Sequence, residues 1–185
     1  MIGLAMLAAG GSRRFGSPKQ LAMYEGESLL RRASRTAAAF RGPAIVVLGA
    51  GTDQVAGEVA CVRIVINRNW REGFATSIHA AVHAMANVEA LIIALADQPL
   101  VTAPDLEALA AVHRGTRAPA VAAAYGDTIG APALFHRSLF PELLALRGDH
   151  GAKTVLVRHD AIAIPMRHAR WDVDTAQDLE RVTRA

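Results

Sequence analysis

The chain has 185 residues, 52% hydrophobic and 20% charged, a composition that buries a core and excludes a disordered chain. Its net charge of +3 comes without any block of five or six like charges, so the basicity suits a pocket for a small anion, and nucleic acid is not expected as a partner. The single cysteine excludes an intramolecular disulfide and a cysteine metal cluster, and no apolar run reaches the roughly 18 residues of a membrane span, so a cytoplasmic protein with no membrane partner is expected.

Residues 2–8 read as a buried strand that ends at a glycine loop. Residues 28–40 carry Leu29, Ala33, Ala37 and Phe40 at helical spacing, with Ser28 as cap and Gly42-Pro43 as stop. A second strand follows at 44–49, a short helix at 52–60 and a third strand at 62–67, closing at Asn67. Cys61 lies in an apolar run and reads as a buried, inert thiol. Residues 74–86 read as a helix, 90–97 as a fourth strand ending at Asp97, 103–113 as a helix with Pro104 in its first turn, and 118–125 as a fifth strand. Beyond Tyr125 the pattern loosens. It gives a short extended piece at 130–135, helices at 137–146 and 151–159, a strand at 161–166 and a closing helix at 175–184. No repeat or linker interrupts the chain, so one domain over residues 1–185 is expected. Apolar strands alternating with helices imply an α/β fold: a doubly wound, mostly parallel sheet with helices on both faces.

In such sheets ligands bind beyond the carboxyl ends of the strands. Three polar stretches fall there: the first glycine loop, "NRNWREGFATS" and "ADQP". Gly11-x-x-x-x-Gly16 opens like a Walker loop, but Ser17-Pro18 stand where that motif needs Lys and Ser or Thr. The dinucleotide spacing fails too, because Ser12 holds the place of the second glycine. The loop still suits an anion. Its glycine amides can approach oxygens closely, Arg14 can grip a phosphate with two donors, and Lys19 adds a point charge. An ordinary glycine turn with solvated arginines is the alternative.

Asp97 has the chemistry of an Mg²⁺ ligand, since that ion takes one or two protein carboxylates beside phosphate oxygens, or else it caps a turn. Asp172 and Asp174 share a face if the chain there is extended. Thr175 and Asp178 have capping-box spacing, which gives the same segment a purely structural reading. Ser77 lies at the start of a helix, as a cap or first-turn residue or as a ligand contact. His79 and His83 are four residues apart, but Ala80 replaces the glutamate of H-E-x-x-H, so they read as core or surface histidines.

The run Leu7-Ala8-Ala9-Gly10-x-Ser12-x-Arg14-Phe15-Gly16-x-Pro18-Lys19-Gln20-Leu21 resembles L-A-A-G-x-x-x-R-M/F-G-x-x-K, the signature of the MobA-like nucleoside-triphosphate transferases. "REGFATSI", "LADQPLV", "GAPALF", "GDHGAK" and "DVDTAQDL" follow in order, so the resemblance covers essentially the whole chain. Within the group the chain is most similar to the molybdenum cofactor cytidylyltransferases, the MocA-like branch. One departure is His150, where the group has Arg or Lys, so a titratable group replaces a fixed cation at that loop.

The resemblance implies a Rossmann-like nucleotidyltransferase fold. It implies nucleotide contacts at Leu7, Ala8, Ala9, Gly10, Gly11, Arg14, Lys19 and Ser77. Arg14, Lys19 and Asp97 take catalytic roles, and Mg²⁺ is held by Asp97 and Asp174. The implied reaction moves CMP from CTP onto the phosphate of molybdenum-molybdopterin and releases pyrophosphate. "LAAG" in place of "LAGG" resembles the cytidine-using members, so CTP is favoured over GTP. The implied partners are a nucleoside triphosphate, a molybdopterin-type acceptor and a recipient molybdoenzyme. Two alternatives stay open. One is a transferase acting on another phosphorylated acceptor, such as a sugar phosphate. The other is a non-catalytic cofactor-binding maturation partner, against which the joint presence of Arg14, Lys19 and Asp97 argues.

Overall fold

The computed structural model describes residues 1–12 and 15–184. Strand β1 (Ile2–Ala8) is buried at every position because it runs through the middle of a seven-stranded sheet. A small hairpin, β2 (Met23–Tyr24) and β3 (Glu27–Ser28), comes next; nothing in the apolar pattern announces it. Helix α1 (Leu29–Ala38) starts where the Ser28 hydroxyl accepts from the Arg31 amide at 3.1 Å, the cap expected from sequence. Strand β4 (Ala44–Leu48), the one-turn helix α2 (Thr52–Val55), strand β5 (Arg63–Ile66), helix α3 (Ala75–Ala84) and strand β6 (Ala90–Leu95) complete the first half.

Helix α4 (Ala103–Thr116) opens on a capping box of Thr102 and Asp105. Strands β7 (Ala120–Tyr125) and β8 (Thr128–His136) pair through the two-residue turn Gly126-Asp127. Helices α5 (Phe140–Ala145) and α6 (Lys153–Arg158), strand β9 (Ile162–Pro165) and helix α7 (Ala176–Thr183) close the chain. Thr175 and Asp178 form the second capping box, at the spacing read from sequence.

The sheet order is β5-β4-β1-β6-β8-β7-β9. All neighbours are parallel except the two pairs made by β8. The mostly parallel sheet is therefore as expected, while the short extended piece at 130–135 is part of a nine-residue reversed strand. A tight turn after Tyr125 leaves no length for a crossover, so the returning strand must be antiparallel. The two faces carry separate apolar clusters. Leu4 and Met6 of β1 meet Leu30, Leu106 and Leu109 on one side. Ala5 and Leu7 meet Ile78, Val82 and Leu156 on the other.

Cys61 corrects a second expectation. It is exposed and has φ +60° in the turn before β5, so it supplies no core contact. The apolar run around it divides between a loop and an edge strand. Among the described residues no helix is long and apolar enough to cross a membrane.

Candidate active site

From β1 the chain steps outward to β4 and β5, then returns across β1 to β6. This reversal leaves a crevice beyond the carboxyl ends of β1 and β6, where the two following loops cannot cover the same ground. The loop after β1 brings Lys19 there, and the end of β6 brings Asp97. Backbone bonds draw in a third segment: the Val173 amide donates to the Asp97 carbonyl at 2.8 Å, which sets Asp174 beside the crevice.

The three side chains meet. Lys19 Nζ donates to Asp97 Oδ2 at 2.6 Å and to Asp174 Oδ1 at 3.0 Å, across 78 and 155 residues of chain. The lysine side chain is only 16% exposed. Burial by itself would lower the Lys19 pKa, but Asp97 and then Asp174 outweigh it, and the ammonium is held above its ordinary 10.5. The other Asp97 oxygen, Oδ1, is buried with no hydrogen-bond partner among the described residues. Asp172 lies at the edge of this group. Partial burial, followed by the negative charge of Asp97 and Asp174, raises its carboxyl above the usual range.

The glycine loop is tied to itself by Ser12 and Gln20, to which the sequence assigned no part in shaping it. The Ser12 hydroxyl accepts from the Lys19 amide at 2.9 Å and donates to Gln20 Oε1 at 3.1 Å. Gln20, nearly fully buried, donates to the carbonyls of Ala8 and Gly10, each at 3.0 Å. These bonds fix the turn that aims Lys19 at the carboxylates. A lone glutamine beside a lysine carries no sequence signal for such a role.

Ser77 is a first-turn residue and not the cap. It is the third residue of α3, is buried, and accepts from Asn67 Nδ2 at 3.1 Å. The end of α3 is instead satisfied from a distant loop. The Ala75 amide donates to the Gly148 carbonyl at 2.9 Å, and the Phe74 amide to Asp149 Oδ1 at 3.3 Å. Gly73 makes this contact possible: its φ is +115°, and a Cβ there would lie 2.3 Å from the Gly148 carbonyl carbon.

Leu7, Ala8, Ala9, Gly10, Lys19, Ser77, Asp97 and Asp174 line one cavity of about 240 Å³. Gly11 lines an adjoining groove of about 410 Å³ that shares Gly10, Lys19 and Asp174 with it. Arg14 lies outside the described residues. His150 lines neither space, and the "GDHGAK" loop meets the groove through Asp149. His79 and His83 face another groove, behind α3. Among the described residues no three His, Cys, Asp or Glu side chains are grouped as a metal site.

The MobA-like NTP transferase domain model matches residues 4–162 of the chain. A solved homologue of Mycobacterium tuberculosis Rv0371c, from Mycobacterium sp. strain JC1, is 30% identical, with 99% of this chain and 95% of that one covered and a TM-score of 0.85. Rv0371c of M. tuberculosis, solved in complex with manganese, is 26% identical, with 100% and 98% covered and a TM-score of 0.79. A curated relative, nicotine blue oxidoreductase of Paenarthrobacter nicotinovorans, is 29% identical over 191 residues, covering 96% of this chain and 94% of its own.

Proposed function

The chain belongs to the MobA-like NTP transferase family, and from that premise we propose that it moves CMP from CTP onto the phosphate of a molybdopterin-type acceptor, releasing pyrophosphate. One observation carries the reading. A lysine and two aspartates from three distant segments converge at the crevice of a nucleotide-type sheet, beside a loop rich in glycine amides.

The two carboxylates suit a divalent cation. Lys19 already lies between them as a positive group, and Asp97 Oδ1 is buried without a partner. A hard cation needs only one or two protein carboxylates when phosphates and water complete its shell. Bound by Asp97 and Asp174, Mg²⁺ or Mn²⁺ would supply positive charge to the α-phosphate; the manganese complex of Rv0371c supports a divalent ion of this kind.

The chain's own groups do the rest. The glycine-loop amides and Ser77 hold the nucleotide in the cavity, and Lys19 and Arg14 take up the negative charge that grows on the leaving pyrophosphate. An oxygen of the acceptor phosphate forms a bond to the α-phosphorus as the bond from that phosphorus to the β-bridging oxygen breaks. The acceptor phosphate is ionised at neutral pH, so no general base is required, and the work of the site is alignment and charge stabilisation. The preference for CTP rests on Ala9. The "LAAG" run resembles the cytidine-using members, and the cavity it lines holds only about 240 Å³, which favours a pyrimidine over a purine.

The test is a panel of the four nucleoside triphosphates against molybdopterin and sugar 1-phosphates, read as pyrophosphate release. Release with CTP and the pterin supports the proposal; equal rates with GTP overturn the base assignment. A second reading follows from the relative named an oxidoreductase. It predicts no pyrophosphate with any pair, and turnover of a reduced electron donor instead.

A further inference from the structure

Gln98 directly follows Asp97, and its side chain turns into the interior, where the residue is only 6% exposed. It lines neither the candidate catalytic cavity nor the adjoining groove. Its Nε2 donates to two main-chain carbonyls, those of Ala131 at 3.1 Å and Ala169 at 2.7 Å. Ala131 lies in β8, and Ala169 in the short 3₁₀ turn Arg167–Arg170 that precedes Asp172 and Asp174. One carboxamide therefore joins the end of β6 to segments 33 and 71 residues further along the chain. The two carbonyls decide which way the amide faces, because an oxygen in the place of Nε2 would be repelled by both. Oε1 is then left buried with no partner among the described residues. An unmatched buried acceptor is unfavourable, and an apolar side chain of the same bulk would avoid it, so filling space does not account for a glutamine here. The chain from Trp171 to Thr175 is neither helix nor strand. It is placed by what ties it down. The Met166 amide donates to the Ala124 carbonyl of β7 at 2.9 Å, and the Val173 amide to that of Asp97. Gln98 takes the carbonyl midway between these two anchors.

We propose that Gln98 is a positioning residue for the carboxylate pair: its two hydrogen bonds set where Asp174 stands relative to Asp97, and they hold that spacing when Lys19 is displaced. The inference rests on the metal reading above and deepens it. Lys19 spans the two carboxylates at 2.6 and 3.0 Å. Once the lysine gives way, the carboxylates repel each other, and one of them sits on a segment without regular structure. A spacing fixed from behind keeps both oxygens where an incoming cation needs them, so less ordering is left to be done on binding. The bond to Ala131 extends the same control to β8, so the reversed strand is tied to the site through this side chain.

Mn²⁺ titrated by its paramagnetic signal against the full chain, with neither nucleotide nor acceptor present, tests this in three variants. Gln98→Met keeps the bulk and loses both donors. Gln98→Asn keeps the carboxamide but is one methylene too short to reach both carbonyls. Ser34→Ala, in α1, removes a buried hydroxyl bond to the Arg31 carbonyl at 2.8 Å and is the control for lost stability. Both Gln98 variants should bind Mn²⁺ at least tenfold more weakly than the parent, and Ser34→Ala within twofold of it, whatever their melting temperatures. Hydrogen exchange of the Val173 amide, read by NMR relative to that of Ala5 in β1, should quicken at least tenfold in the Gln98 variants. Parent-like Mn²⁺ affinity in either Gln98 variant, or an exchange ratio that does not move, overturns the inference. A parent that binds no Mn²⁺ overturns the metal reading instead, and the exchange ratio then decides the role of Gln98 by itself.

Discussion

Lys19 Nζ lies 2.6 Å from Asp97 Oδ2, a contact between the loop after the first strand of the sheet and the end of its central neighbour. It sets a positive charge where the proposed reaction requires one and gives the carboxylate a partner that a divalent ion must displace. Asp97→Asn keeps the shape and removes the charge. It should lower pyrophosphate release about a hundredfold or more, the scale of losing one charged contact in a dry site, with the melting temperature little changed. Undiminished release would falsify the assignment of Asp97.

The same contact makes Lys19 a competitor for the metal. Lys19→Met should bind Mn²⁺ several times more tightly than the parent in the absence of nucleotide, measured by paramagnetic titration, and yet release pyrophosphate about a hundredfold more slowly. Weaker Mn²⁺ binding in this variant would mean that the lysine supports the metal and does not compete with it.

Asp178 closes the α7 capping box and also accepts from the Asp174 amide at 3.3 Å. Asp178→Ala should cost about 1 kcal/mol, a fall of roughly 2–4 °C in melting temperature. Because Asp174 loses a backbone anchor, the metal concentration for half-maximal rate should rise, while the rate at saturating metal is largely restored.

Gly73 packs its α-carbon against the Gly148 backbone at a φ few side chains adopt. Gly73→Ala should destabilise the protein by about 2 kcal/mol or more and weaken nucleotide binding, since α3 loses the loop that caps it. Calorimetric melting and CTP titration on the one variant read both effects.

His79 supplies a pH dependence. Burial, offset in part by nearby backbone carbonyls, holds its pKa below the ordinary 6.5. As pH falls, the unfolded chain therefore takes up this proton first. The contribution is complete above pH 6.5 and is lost as pH drops from there through the lower folded value. Denaturant midpoints across that window should fall more steeply for the parent than for His79→Asn.

The strands and most helices were legible because continuous apolar runs and 3.6-residue periodicity report burial directly. The β1 loop and Asp97 were legible because strand ends in this architecture gather polar residues. Other features had no local signature. The reversal of β8 is decided by a two-residue turn, and the β2–β3 hairpin is too short to show a period. Cys61 was misread because an apolar stretch of sequence can divide between a loop and a sheet edge. Ser77 looked like a cap because helix α3 draws its capping groups from residues some 75 positions away. Gln20 and Asn67 act through bonds to main chain and hydroxyls that only the fold brings near.

The reversed strand divides the labour of the molecule. The candidate catalytic cavity is lined by residues between Leu7 and Asp97 together with Asp174, while a second cavity owes its far wall to the β7–β8 pair and α6. The halves are joined along the β6–β8 ladder and meet at the cavities through Phe74, Leu95 and the Gly73–Gly148 contact. Because β8 enters the interior of the sheet, residues 120–158 are built into the same core as the first half, and a change in that stretch reaches the catalytic crevice through the strand that ends at Asp97.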